Sequence, residues 1–540
     1  MTLHLRNTLT RAVEPVQPLE LRADGAPRPI RIYTCGPTVY RWAHVGNLRT
    51  FLLADFIRRA LLYHGLDVLH VKNITDVGHL RDERFDRGAD RMLVAAHLEH
   101  RTTQEIADAY EAGFHADEAR VNILPAHVFP RATEHISEML AMAEALVDAG
   151  YAYATPAGTV YYDVARFPTY GRLSGNTLDE LRAGHRVEVE PDKRDPADFA
   201  LWKHAEEGRQ LKWPTPRWGE GYPGWHLECS AMGRRYLGDR FEIHTGGIDN
   251  VFPHHEDEIA QGAALSGAVP ARHWVHGEFL LMGGRKMAKS AGNFQRITEL
   301  ADEGIEPLAF RYLTLTAHYS RKLNYSAASL AAASSSLGSL RARLRGLGPP
   351  PDDGAWAGPT PLLAGEAPAR PQGQAVGVAG HGLDKRGGDP NPGFQLGDRA
   401  AAPGAPLSAA GRALHERFVT ALDRDLDLPA ALAVVRETLK ADLPADERRW
   451  LVLDADLVLG LDLQAIWGAA PAGGSRGVEA ADDLPGGAAA LLRRRDAARA
   501  ARDYDAADAL RAELADLGIE PIDRPGAPST WRRRETAEHD

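Results

Sequence analysis

The chain has 540 residues, with 63 Lys and Arg against 74 Asp and Glu, a formal net charge of -11 and 44% apolar residues. That length exceeds what one hydrophobic core supports, so at least two domains are expected. The negative balance excludes indiscriminate polyanion binding, and a nucleic-acid partner would need a local basic surface. The only cysteines, Cys35 and Cys229, are far apart in a chain too long to need disulfide staples, which favours reduced thiols and a cytoplasmic protein. Burial, metal binding, catalysis and a disulfide all stay open for them. The start, Met1-Thr2-Leu3-His4, has no apolar signal core, and no stretch approaches the roughly 18 apolar residues of a membrane span.

In chain order, Ile30 to Tyr33 reads as a short strand, and Leu48 to Tyr63 carries Leu48, Leu52, Phe56 and Ala60 at helical spacing. Val68 to Ile74 reads as a second strand. Together they form a βαβ unit, whose anion-binding edge is the first turn and the helix N-terminus. From 124 to 216 the pattern is mixed, with a helical Thr133 to Asp148, a hairpin candidate in "YAYATPAGTVYYDV", and charged loops rich in Pro and Gly. This segment is expected to be an insertion between two halves of a nucleotide-binding fold. Phe241 to His244 and Trp274 to Leu281 read as later strands around a helical "HHEDEIAQGAALSG". Helical segments run to about Arg345, and 346–407 is a tract of Gly, Pro and Ala that cannot support a packed core. Ser408 to Leu439, Ala445 to Trp467 and Ala488 to Leu517 read as amphipathic helices of a separate C-terminal domain, interrupted by a Gly-rich break from Ala469 to Gly487.

Three motifs carry chemistry. In "YTCGPTVYRWAHVGNLRT", the helix after Gly46 offers unpaired N–H groups and a positive dipole end to phosphate. His44 and Asn47 would add donors, and Gly46 would let a base or sugar approach the backbone. An ordinary helix cap explains the same four residues equally simply. In "GRKMAKSAGN", Lys286, Lys289 and Ser290 lie in a glycine-flanked loop able to offset charge on a triphosphate; a solvated basic loop is the plainer alternative. In "GGIDNVFPHHEDEIAQ", His254 and Glu258 are four apart and would share one helix face, with His255 and Glu256 pointing elsewhere. With Cys35 and Cys229 they make a Cys, Cys, His, Glu set compatible with tetrahedral zinc. An exposed helical pair and two core thiols would account for the same residues.

Taken together, "YTCGPTVYRWAHVGN", "KNITD", "PGWHLECSAM", "GGIDNVFPHHEDEIAQ" and "KMAKSAGNF" resemble, in order, the signature blocks of the cysteinyl-tRNA synthetases of class I. The C-terminal "AARDYDAADALRAELADLGIEPIDRPGAPSTWRR" is similar to that family's tail. The resemblance implies an α/β fold: a Rossmann-like class I synthetase catalytic domain with an inserted connective subdomain, followed by a helical C-terminal anticodon-binding domain. The expected division is 1–123 and 217–285 for the two catalytic halves, 124–216 for the insertion, and 286–345 for the KMSKS-like loop and stem-contact region. Linkers follow at 346–407 and 469–487, with an anticodon-binding region at 408–468 and a helical, basic RNA-contacting tail at 488–540.

The resemblance further implies an enzyme that activates L-cysteine with ATP and passes it to the terminal adenosine of tRNA(Cys). One Zn2+ per chain would be held by Cys35, Cys229, His254 and Glu258 and would grip the substrate thiol, with Mg2+ accompanying ATP. His44, Gly46, Asn47, Lys286, Lys289 and Ser290 match the ATP site, His44, Asn47, Lys286 and Lys289 being the catalytic positions. Thr75 and Trp225 would line the amino-acid pocket. RNA contacts are expected at Arg493 to Arg495 and at Arg532 to Arg534 with Trp531. The protein is expected to be a monomer with no membrane partner.

Three positions depart from the family pattern. Asn47 stands where the first signature ends in histidine, Ala288 stands for the serine of KMSKS, and "VGHLRDE" follows "NITD" where many relatives carry an acidic pair. A cysteine ligase acting on a small aminosugar and a non-catalytic paralogue are the competing readings.

Overall fold

The computed structural model describes residues 2–21, 25, 27–77, 101–180, 192–207, 209–286, 294–350, 359, 362, 407–467, 491, 494–495, 498, 503–516, 519–524 and 527–533. They divide into two compact units, Met1–Gln464 and Ala465–Asp540.

The first unit is built on a parallel sheet. Strand β1 (Ile30–Thr34) leads through helix α1 (Val45–Tyr63) to β2 (Val68–Lys72). Helices α2 (Thr103–Arg120) and α3 (Ile136–Asp148) follow, and then the insertion. The insertion is a five-stranded antiparallel sheet of β3 (Ala152–Ala154), β4 (Val160–Tyr162), β5 (Phe199–His204), β6 (Trp213–Thr215) and β7 (Gly219–Pro223), in the order β3-β4-β5-β7-β6. Only its first hairpin was legible in the sequence. Helix α4 (Trp225–Leu237) returns the chain to the parallel sheet, where β8 (Phe241–Gly247), α5 (Glu256–Ser266) and β9 (Ala271–Gly277) form the second half.

Sheet order is β9-β8-β1-β2, all parallel. The two crossovers run outward from the central β8 and β1, so the strand order reverses between them. A crevice opens at such a switch point beyond the strand C-termini, where ligands of open α/β sheets bind. Cys35 directly follows β1, and Gly246 and Gly247 end β8 at the same edge.

Next come β10 (Leu280–Met282) and β11 (Arg285–Lys286), an antiparallel hairpin turned by Gly283 and Gly284 at φ +58° and +76°. Two consecutive positive φ values suit a tight hairpin turn and favour glycine at both positions. Helix α6 (Pro307–Thr314), β12 (Leu323–Tyr325) and helix α7 (Ala327–Arg345) follow.

Three helices then return to the same unit: α8 (Ala409–Asp423), α9 (Leu428–Thr438) and α10 (Ala445–Leu459). The helical C-terminal region expected from 408 is present, and these three helices pack within the first unit. That packing explains why α1, legible as an apolar spacing, is buried around nearly its whole circumference, Arg49, Asp55, Arg58 and Arg59 included. The sheet covers one side of α1 and the returning helices the other. Asp55 gathers two of these buried charges: Arg59 donates to Asp55 (2.9 Å) and to the Leu457 carbonyl (3.0 Å), and Arg311 of α6 donates to Asp55 (2.7 Å) and the Leu459 carbonyl (2.6 Å). The single helix expected from Ser408 to Leu439 is broken, because Asp425 and Leu426 adopt φ +53° and +52° and Asp427 caps α9 by accepting from the Ala430 N–H.

The second unit contains α11 (Tyr504–Asp516) and a hairpin of β13 (Ile519–Arg524) and β14 (Ala527–Arg533). The helix expected in this tail is present as α11, and Trp531 and Arg532 lie on a strand. Arg495 is buried, which removes it from the expected basic surface. Arg493 and Arg534 lie outside the described residues.

Candidate functional site at the sheet switch point

The loop after β1 is held by the loop after β2. Thr75 N–H donates to the Pro37 carbonyl and its own carbonyl accepts from Val39, both at 3.0 Å. Asn73 Oδ1 accepts from Gly36 N–H at 2.8 Å. A Cβ on Gly36 would lie 1.6 Å from the Asn73 carbonyl oxygen, so only glycine permits this approach and the position of Cys35 that follows from it.

Cys229 and Glu228 arrive on α4. His254 arrives on a wide turn, Val251–His255, that opens into α5, and Glu258 lies one turn further on. The four sequence-predicted ligands converge, each offering a ligand atom within 4.8 Å of the others. Cys35 Sγ is 3.7 Å from both Cys229 Sγ and Glu258 Oε1, and His254 Nε2 is 3.1 Å from Glu258 Oε1. Metal–sulfur bonds of about 2.3 Å give a tetrahedral edge of about 3.8 Å, so the sulfur spacing fits zinc. His254 Nε2 is buried and faces Glu258 Oε1 without a well-aligned hydrogen bond among the described residues, and a metal taking the place of its proton would satisfy both groups.

The electrostatics agree with that donor set. Burial, reinforced by Cys229 and Glu258, pushes the Cys35 thiol well up. Burial also opposes ionisation of Cys229, but Cys35 and the His254 imidazole outweigh it and bring this thiol down to about 7. Against burial, Cys229 and Glu258 lift His254 to about 10, while His244 and His254 hold Glu258 at about 2.

Sequence reasoning missed the support around these donors. His255, expected to point elsewhere, has Nε2 3.3 Å from Cys35 Sγ, because the wide turn brings both neighbouring histidines inward. Its Nδ1 pairs with His276 Nε2 at 2.7 Å, and His276 Nδ1 pairs with Thr8 Oγ1 at 2.8 Å. His244 Nε2 bonds the second oxygen of Glu258 at 2.8 Å and stacks on Trp274. Cys35, His244, His255 and Glu258 form a second converging set, but it holds one thiol where the first holds two, and its histidines are engaged with Glu258 and His276. Glu256 does point away, accepting from the Ser174 N–H at 2.8 Å. Thr75 is 2% exposed, and its hydroxyl donates to Glu228 Oε2 at 2.8 Å. Trp225 is 42% exposed with its ring centroid 4.3 Å from that of His254.

At the N-terminus of α1, His44 and Asn47 form a reciprocal cap: His44 Nδ1 accepts from Asn47 N–H and Asn47 Oδ1 from His44 N–H, both at 3.2 Å. The plain capping role is therefore real. It also fixes the imidazole, since an Nδ1 that accepts leaves the proton of the neutral ring on Nε2. The Gln295 carbonyl takes the Val45 N–H at 3.0 Å. Among the described residues the Gly46 N–H makes no hydrogen bond, so it is the first-turn donor left for an anion. Lys286 is placed on β11 by its backbone, and Lys289 and Ser290 lie outside the described residues.

Comparison with known proteins agrees with this geometry. Residues 23–335 match the family described as tRNA synthetases class I (C) catalytic domain, and residues 481–524 match the cysteinyl-tRNA ligase anticodon binding domain. Relatives named cysteine–tRNA ligase include one from Thermus thermophilus (37% identical, 98% of this chain and 99% of the relative) and one from Salinibacter ruber (38%, 99% of each). The chain belongs to the cysteine–tRNA ligases.

As a member of that class I family it shares a fold with a solved leucyl enzyme–tRNA complex from Agrobacterium radiobacter. The TM-score is 0.50 at 11% identity, covering 83% of this chain and 86% of that one. The anticodon-domain match falls on 481–524 and not on 408–468, where that role was expected; α8 to α10 lie outside both family matches. No helix among the described residues is long and apolar enough to cross a membrane.

Proposed function

We propose that this chain activates L-cysteine with ATP to cysteinyl adenylate and transfers the cysteinyl group to the 3′-terminal adenosine of tRNA(Cys), at the 2′-hydroxyl as the class I resemblance implies. The observation that carries this reading is the convergence of Cys35, Cys229, His254 and Glu258 at the sheet switch point. Bound there, Zn2+ would supply a soft Lewis acid for which a thiolate is a much better ligand than a serine hydroxyl. Selection by such a contact can reject serine by a margin that an apolar pocket cannot reach.

The chain's own residues then do positional work. The Cys35 loop and α4 orient the substrate so that its carboxylate can attack the α-phosphorus, forming a P–O bond as pyrophosphate leaves. Gly46 N–H and His44 Nε2–H donate toward phosphate oxygens, and Lys286 and Lys289 offset charge on the pyrophosphate side, with Mg2+ on the ATP. Asn47 serves here through the cap that orients His44, a function its amide fills without an imidazole.

The match at 481–524 supports an RNA acceptor over a small aminosugar. The test is cysteine-dependent exchange of pyrophosphate into ATP, followed by charging of tRNA(Cys) against an aminosugar control. Exchange without RNA charging would refute the tRNA half of the reading, and absence of both would refute it whole. We further propose action as a monomer in the cytoplasm.

A further inference from the structure

We propose that Glu228 is a positioning residue that makes Thr75 an obligate acceptor for the substrate's α-ammonium, so that the site selects an amino acid over a plain thiol acid; this rests on the ligase reading above. Thr75 is fixed before its side chain is considered, since its backbone N–H and carbonyl are both bonded to the Cys35 loop. A β-branched side chain on a fixed backbone has little χ1 freedom. Its hydroxyl has one proton and two lone pairs to assign.

The proton goes to Glu228 Oε2 at 2.8 Å. One lone pair accepts from Asn73 Nδ2 at 3.2 Å. The Asn73 amide cannot be turned the other way, because its Oδ1 already accepts from Gly36 N–H. One lone pair of Thr75 Oγ1 remains, and among the described residues no further donor reaches it. Any further partner of this oxygen must therefore donate.

A substrate whose thiol is held at the proposed zinc site carries one cationic donor, the ammonium, and one acceptor, the carboxylate. Thr75 can bind the first and not the second. Glu228 precedes the thiol-bearing Cys229 on α4 and is fully buried, so its carboxylate holds this proton direction out of reach of water. The same carboxylate disfavours a second anion nearby, which turns the substrate carboxylate toward the ATP side.

The experiment measures calorimetric binding of L-cysteine and of 3-mercaptopropionate, which keeps the thiol and carboxylate but lacks the ammonium, to the zinc-loaded full chain and to Glu228→Gln and Thr75→Val. In Glu228→Gln the amide can donate to Thr75 and turn the hydroxyl proton toward the pocket. Both variants are expected to weaken cysteine at least about tenfold, the scale of a hydrogen bond to a charged group. Binding of 3-mercaptopropionate, zinc stoichiometry and the KM for ATP should not change. A wild-type preference for cysteine in Glu228→Gln, or equal loss of both thiols, overturns the proposal. If Glu228→Gln does not fold, Thr75→Val decides, and retention of the preference there overturns it. Failure of the ligase reading is separately visible as absence of cysteine-dependent exchange in the unmodified chain.

Discussion

Arg311 Nη2 lies 2.7 Å from Asp55 Oδ2, and neither side chain is exposed to solvent. The pair joins α6 to the middle of α1, the helix whose first turn is proposed to meet ATP. Arg59 completes the knot from α1 itself, and the Leu124 N–H donates to the other Asp55 oxygen at 2.8 Å.

Removing one member of a buried pair leaves the other charged and uncompensated, so Asp55→Asn is expected to lose about 3–5 kcal/mol of stability. Denaturant unfolding checks it, and a loss below about 1 kcal/mol would show that the knot is dispensable. Burial works against the Asp55 charge, but Arg59 and then Arg311 outweigh it and hold the carboxyl below its ordinary value. The stabilisation is therefore present above the ordinary aspartate range and lost as pH falls through the depressed value. The acid limb of the stability curve should be flatter in Asp55→Asn.

Cys229→Ala removes one corner of the proposed zinc tetrahedron. Bound zinc and cysteine affinity should both fall while ATP binding persists, because α1 and the α4 thiol come from different elements. Elemental analysis with parallel ligand titrations checks this. Unchanged zinc content would take Cys229 out of the site.

His244→Gln touches no proposed ligand atom position directly but withdraws the imidazole that orients Glu258. Groups of this kind typically govern metal affinity about 10–100-fold. Chelator competition should show a loss in that range, and an affinity equal to wild type would reduce His244 to core packing against Trp274.

Lys289→Ala should slow adenylate formation about 100-fold or more, the usual cost of removing one donor to a transition-state charge, with zinc content unaltered. Rapid-quench measurement of adenylate separates this from binding. A wild-type rate would remove Lys289 from the ATP site.

Much of the catalytic half was legible because its signals are local. Ile30–Thr34 and Val68–Lys72 are short apolar runs bounded by turn residues, and α1 carries its spacing openly. The four proposed ligands could be named only through ordered motif blocks, since no spacing rule links Cys35 to Cys229 across 194 positions. His244, His255, His276 and Glu228 escaped because each lies on a strand or helix that otherwise reads as core, and a buried polar residue declares itself only through its partners. The break at Asp425 and Leu426 escaped because non-glycine residues at positive φ leave little mark in sequence. The hairpin at 519–533 is rich in charge and proline, which masks strand periodicity.

The return of α8, α9 and α10 onto α1 means that the catalytic lobe is not contiguous along the polypeptide. A protein cut short after Arg345 would strip Tyr63 of His415 and Asp454, and Arg311 of the Leu459 carbonyl, laying bare the outer flank of α1. Any shortened form that keeps the support of α1 must therefore retain the chain through Leu459, whose carbonyl Arg311 holds.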